Sequence, residues 1–373
     1  MNNNEIKYIK PPVEVLYKHE LDALAENDSD NRKPDGWKLS PKSVRAFILG
    51  ADKPLNLNGE KVEIKKKYFG DDSLIERCII TLSGNRGLML IGEPGTAKTM
   101  LSEFLSAAIS GITTNTVQGT AGTTDDNIKY SWNYALLLAK GPVKEALVPA
   151  PLYTGMENGV ITRFEEITRC SSEIQDTLIS VMSDKVLSIP EFGEEGFLFA
   201  KPGFNIIATA NTRDKGVNEM SSALKRRFNF ETVFPVNSVK LECEIITRQC
   251  EDLLGKIDPK IKINDDVVEI LATTFHELRE GESKEGTKIE SPAAVMSTAE
   301  AVAIYYQSAL SAYYYGANDI SMDDLAQNIK AAALKESRDD LPRLRNYWNT
   351  ILKTRSEKDR KWKDIYEARK WIK

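Results

Sequence analysis

Two short stretches hold the residues best suited to chemistry. The first, GEPGTAKT (92–99), joins an apolar run to a helix-forming run. In that setting the backbone N–H groups of a glycine-permitted loop and of the helix's first turn converge on phosphate oxygens. Lys98 sets a positive charge against them, and the Thr99 hydroxyl can ligate Mg2+. The expected nucleotide-binding residues are therefore Gly92, Glu93, Pro94, Gly95, Thr96, Ala97, Lys98, Thr99 and Met100. Ala97 stands where this pattern usually has a second glycine. It keeps the N–H donor, so it costs little provided its φ is negative. The second stretch is ITRFEEITRC (161–170), an apolar approach ending in Glu165 and Glu166. That is the form of the metal-and-water end of a nucleotide-hydrolysing strand, although the first acid there is normally the shorter Asp.

Residues of this kind need a scaffold that brings strand ends together, and the chain is patterned for one. GLMLIG, bounded by glycines, suits a buried parallel strand, and GVITRFEE and FNIIATAN read the same way. Each alternates with a helical pattern. In TMLSEFLSAAISG, Leu101, Leu105 and Ile109 are spaced four apart and Gly111 closes the run. LSPKSVRAFILG has Ser40 as N-cap, Pro41 in the first turn, Val44, Phe47 and Ile48 on one face, and Gly50 as the stop. A further helix is expected near 71–83. In SSEIQDTLISVMSDK, Ser172 and Gln175 fit a capping box, with Ile174, Leu178 and Val181 sharing a face. AENDSDNRKPDG (25–36) is polar and broken by Pro and Gly, which reads as a linker. Strands alternating with helices indicate an α/β fold with a parallel sheet, whose ligands sit at the carboxyl ends of the strands. From about residue 241 the strand signals stop, marking a smaller all-helical domain.

The bulk composition excludes several classes. At 373 residues, with 41% hydrophobic and 28% charged residues, the chain is a globular protein of more than one domain. No run approaches the roughly 20 apolar residues of a membrane helix, and the first thirty residues lack a signal peptide's apolar stretch, so the expected compartment is the cytoplasm. Cys78, Cys170, Cys243 and Cys250 have no metal-binding spacing and are expected to be reduced structural thiols. A net charge of -5 argues against a general nucleic-acid binder. Residues 338–373 nevertheless carry twelve Lys/Arg against six Asp/Glu, which reads as a solvated basic helix or loose tail.

Four motifs in order give the chain its resemblance: GEPGTAKT, ITRFEEITR, IIATAN and the helix NEMSSALKRRF ending in an arginine. Over residues 70–335 it resembles the MoxR family of AAA+ ATPases, in the branch with an insert in helix 2. VQGTAGTTDDNIKYSWNY occupies the place of that insert, and SDKVLSIPEFGEEGFLFAKPG that of the family's pre-sensor hairpin. The resemblance implies a nucleotide-binding core at 61–240 and a helical lid at 241–336, between an N-terminal extension and linker (1–60) and a basic tail (337–373). It places Glu165 on the family's metal-proximal Asp, so that Thr99 and Glu165 would hold Mg2+. A longer arm at that place can be absorbed by a different rotamer or one displaced water, and Glu165→Asp is expected to keep or raise activity.

Carried further, the resemblance makes Glu166 the glutamate that polarises the attacking water and Asn211 the sensor that helps orient it. Arg227 is the finger acting on a neighbouring subunit's ATP, with Arg226 as the nearby alternative. The second-domain arginine of the family falls on Ala293, which leaves its place to another basic residue such as Lys288. The expected cofactors are ATP and Mg2+. The expected assembly is a homo-oligomer, a hexamer, that remodels a protein partner with a von Willebrand factor A domain. A nucleic-acid-translocating or defence-system motor is the second reading, for which the basic tail and Trp348, Trp362 and Trp371 speak. An ATP-binding switch with little turnover is the third.

Overall fold

The computed structural model describes residues 9–212, 218–258, 261–317 and 319–373, so the first eight residues of the expected N-terminal extension lie outside it. It divides into two units, one reaching to Gly92 and running again from Ala97 to Val233, the other made of Glu93–Thr96 and Phe234–Lys373.

The first unit is built on a five-stranded parallel sheet. Its strands are β1 (Gly87–Gly92), β2 (Thr116–Gln118), β3 (Thr162–Glu165), β4 (Ile206–Asn211) and β5 (Phe228–Thr232), in the spatial order β5-β1-β4-β3-β2. Burial on both faces explains why β1, β3 and β4 read as near-continuous apolar runs. Helices α1 (Pro41–Leu49), α2 (Asp72–Ser83) and α3 (Lys98–Ser110) cover one face. Their Val44, Phe47, Ile48, Ile75, Ile79, Leu101, Leu105 and Ile109 form a core with Leu88, Leu90 and Ile207 of the sheet. Ser40 caps α1 as expected, accepting from the Ser43 N–H, and Gly50 ends it at φ 88.

Two sequence expectations change here. The helix after β3 starts one residue early: Ser171, not Ser172, is its N-cap, accepting from the Ile174 N–H. Gln175 instead turns inward and donates to the Cys170 carbonyl, because the residue is fully buried and its amide needs an internal partner. The polar stretch 25–36 also contains an anchor. Asp28 is buried and accepts from the Ser40 N–H, the Ser40 hydroxyl and the Ser43 hydroxyl, tying this stretch to the start of α1.

The second unit is helical: α4 (Val239–Gly255), α5 (Asp265–Glu280), α6 (Thr298–Tyr315) and α7 (Met322–Ala333), followed by short helical segments from Leu341 onward. The basic segment 338–373 is not a loose tail. Tyr347, Trp348, Leu352, Trp362, Ile365 and Ile372 lie in the same core as Ile270, Phe275 and Leu325. Charge counting misjudged it because its lysines and arginines mostly face outward while the aromatic and aliphatic residues between them face in. Among the described residues no helix is long and apolar enough to cross a membrane.

Candidate active site

The carboxyl ends of β1, β3 and β4 lie side by side, since Asn211 pairs with Gly92 and Ala208 with Phe164. From this edge project Glu165, Glu166 and Asn211. The loop after β1 begins at Gly92, whose carbonyl accepts from Lys98 Nζ at 3.1 Å. Gly95 has φ 79, and the Thr96 hydroxyl donates to the Glu93 carbonyl at 2.9 Å. Lys98 opens α3 and is buried, whereas Thr99 is exposed.

Ala97 does not meet the condition set for it. It takes φ 69 and ψ 21, in the left-handed region, as the N-cap of α3. A Cβ there costs about 1–2 kcal/mol relative to the right-handed form, so the alanine holds the loop in a strained turn.

Glu165 and Glu166 diverge because the backbone turns between them. Glu165 still belongs to β3, while Glu166 has φ 56 and ψ 45, a left-handed conformation that a glutamate rarely adopts. The turn is crowded from outside by Gly119, whose N–H donates to the Glu165 carbonyl at 2.7 Å. A Cβ on Gly119 would lie 2.4 Å from the Glu166 carbonyl oxygen, so only glycine fits at this point.

Glu165 is buried and ringed by donors. Oε2 accepts from the Thr99 hydroxyl at 3.0 Å and the Thr209 hydroxyl at 2.8 Å. Oε1 accepts from Arg163 Nη2 at 2.6 Å and lies 2.7 Å from the Ser102 hydroxyl. Burial alone would raise its pKa, but the Arg163 charge and the hydrogen bonds from Ser102 and Thr209 outweigh it and hold the carboxyl below its ordinary value. Thr209 also accepts from the Glu166 N–H at 3.0 Å and so ties the two acids together. Asn211 Nδ2 donates to Glu166 Oε1 at 2.7 Å, and Arg169 Nε lies 3.8 Å from Oε2.

Thr99, Glu165, Glu166, Asn211 and Lys98 thus share one strand edge. Sequence reading missed Arg163, Ser102, Thr209 and Gly119. Three of them had a signal, since 163 and 209 lie two residues before 165 and 211 on strands, and 102 one helical turn after 99. The remaining expected residues lie elsewhere. Arg227 donates from Nε to the Ser183 hydroxyl at 2.5 Å and from Nη1 to the Ala223 carbonyl at 2.6 Å, while Arg226 is exposed. In the helical unit the Ala293 N–H donates to Asp340 at 2.8 Å, and Lys288 is exposed.

The sequence resemblance implies a magnesium ion. A hydroxyl and an ionised carboxylate 3.0 Å apart are hard oxygen donors of the kind it takes, with water and phosphate completing its shell. Among the described residues no group of three or more His, Cys, Asp or Glu fit for a metal occurs.

Residues 87–228 match the family of AAA domains of the dynein-related subfamily. Residues 240–373 match the YehL-like AAA+ ATPase C-terminal domain. The YehL protein of Escherichia coli is 47% identical over 369 residues, 98% of each chain. The chain belongs to the YehL-like AAA+ ATPases, of MoxR type. It is a nucleotide-binding ATPase. More distantly, it is 28% identical over 204 residues to the chaperone MoxR1 of Mycobacterium tuberculosis, a match that spans 54% of this chain and 48% of that one. Among solved structures, NtrX from Brucella abortus in complex with ADP aligns with a TM-score of 0.42 at 13% identity, over 66% of this chain and 51% of that one.

Proposed function

We propose that the protein is a ring-forming, Mg2+-dependent ATPase that remodels a partner protein, with the edge of β1, β3 and β4 as its hydrolytic centre. The observation that carries this reading is the convergence of Thr99, Glu165, Glu166 and Asn211 at one strand edge, next to a phosphate loop. In this reading the backbone of 92–100 and Lys98 bind the phosphates, and Thr99 with Glu165 would hold the ion. Bound magnesium would neutralise charge on the phosphate oxygens. Glu166 polarises the attacking water. Asn211 fixes that carboxylate through Oε1, leaving Oε2 turned toward Arg169. The strained φ of Glu166 supports the role, since such strain gathers where a side chain must point in one direction.

Arg227 completes the site of a neighbouring subunit, which makes turnover a property of an assembly, taken as a hexamer. A partner with a von Willebrand factor A domain rests on the likeness to MoxR proteins, and placement in the cytoplasm on the sequence reading alone. A protein partner is favoured over nucleic acid because, of the three tryptophans that would stack on bases, Trp348 and Trp362 are core residues and only Trp371 is exposed. Mixing tests the assembly. Lys98→Ala and Arg227→Ala proteins are each expected to be inactive, and a mixture of them to regain part of the wild-type turnover. If mixed assemblies form, as seen by size-exclusion chromatography of tagged chains, and stay inactive, Arg227 does not act across subunits.

A further inference from the structure

Arg163 is an unusual residue to find on the face of a central strand. It alternates with Thr162 and Phe164 and shares a face with Glu165, opposite α3. Its side chain is buried and all three nitrogens are engaged: Nε donates to the Ser102 hydroxyl at 3.0 Å, Nη1 to the Thr113 carbonyl at 2.9 Å, and Nη2 to Glu165 Oε1 at 2.6 Å. Stability alone accounts poorly for such a pair, because a buried ion pair is often no better than apolar residues of the same volume. The placement accounts for it better. Glu165 has one methylene more than the aspartate expected at the metal side. Arg163 and Ser102 take hold of the near oxygen, Oε1, and the other oxygen is thereby delivered to Thr99 and Thr209.

We propose that Arg163 is a positioning residue which takes up the extra length of Glu165 and sets Oε2 beside Thr99. The inference rests on the Mg2+-ATP reading of this site and deepens it. It reverses the expectation formed from sequence. Glu165→Asp withdraws the carboxylate by roughly 1.5 Å, abandons Arg163 and Ser102, and leaves the buried guanidinium with only the more distant Glu103 carboxylate, 3.9 Å from Nη2, as counter-charge.

The test is a cycle of full-length Glu165→Asp, Arg163→Met and the double variant. Two quantities are read: the Mg2+ concentration giving half-maximal binding of a fluorescent ATP analogue, and the melting temperature without nucleotide or Mg2+. Each single change is expected to raise the half-saturating Mg2+ roughly 10–100-fold, the usual cost of losing a group that orients a metal ligand. The double variant should come back to within a few-fold of wild type, because a shorter acid beside an apolar neighbour needs no clamp. Arg163→Lys keeps the charge but not the planar fork, and should fall between wild type and Arg163→Met. It also carries the test if Arg163→Met does not fold. Wild-type Mg2+ dependence in Glu165→Asp, or additive effects in the cycle, overturns the proposal. So does coupling that shows only in the melting temperatures, which would make Arg163 a structural partner. Wild-type binding indifferent to Mg2+ sinks the metal reading itself, and the melting cycle then still reports whether the two side chains are coupled.

Discussion

Each unit buries an arginine against a glutamate, and the two pairs sit in different surroundings. In the helical unit Arg355 reaches Glu277 with both terminal nitrogens, and the same carboxylate accepts from the Tyr347 hydroxyl at 2.7 Å and the Lys284 N–H at 2.8 Å. Arg355 also binds Glu285, whose carboxyl this contact holds down to about 2. All these groups lie on helical backbone or an ordinary turn, and they fasten α5 to the C-terminal segment. At the end of β3, Arg163 and Glu165 are as fully bonded, but one of the four donors is the hydroxyl of exposed Thr99. Left-handed backbone lies next to this pair at Glu166 and at Ala97 of the adjoining loop. The same two side chains therefore serve as a fastener between α5 and the C-terminal segment in one unit, with exposed Glu285 as an outer partner, and in the other as part of a set that includes Thr99 in the first turn of α3.

Removing the fastener should have the largest effect on folding. Arg355→Met leaves the fully buried Glu277 without its counter-charge, and the loss of one partner of such a pair costs about 3–5 kcal/mol. Chemical denaturation of the whole chain would measure this. A loss below about 1 kcal/mol, the level of an exposed pair, would mean that the two pairs differ less than their surroundings suggest.

A smaller effect is expected from the strained side. Ala97→Gly relieves the left-handed alanine but loosens the unfolded chain, for a net gain of about 0.5–1 kcal/mol. Denaturation without nucleotide would show it. A loss of stability would mean that Ala97 is held without strain, and that the loop resembles the helical unit more than the account allows.

Much of the site was legible in the sequence because it depends on local pattern. Gly92 to Thr99 read as a loop between a strand and a helix, the apolar runs ending at Glu165 and Asn211 announced strand ends, and Ser40 and Gly50 bounded α1 as their types require. What stayed hidden depends on tertiary direction. Arg163 looks like a surface residue until a partner carboxylate two positions on is known to face the same helix. Whether Ala97 has negative φ is set by how the loop closes on α3, which composition does not encode. The segment 338–373 reads as basic, yet its buried aromatic residues are spaced among the charges, and only packing against α5 and α7 reveals that they are core. Gln175 and Ser171 changed places as helix signals because the glutamine found a buried carbonyl instead of a helix end.

The central claim is that the Glu166 carboxylate, held by Asn211, acts on the attacking water. Glu166→Gln keeps the size and the neighbours of the side chain but removes its charge. Binding of Mg2+-ATP and single-turnover hydrolysis should be measured together for this variant and the wild type under assembling conditions. The account predicts that the variant binds like the wild type and that hydrolysis falls roughly 10²–10⁴-fold, the share usual for a group acting on the transferred proton. Hydrolysis at the wild-type rate in the variant, with binding unchanged, would contradict it.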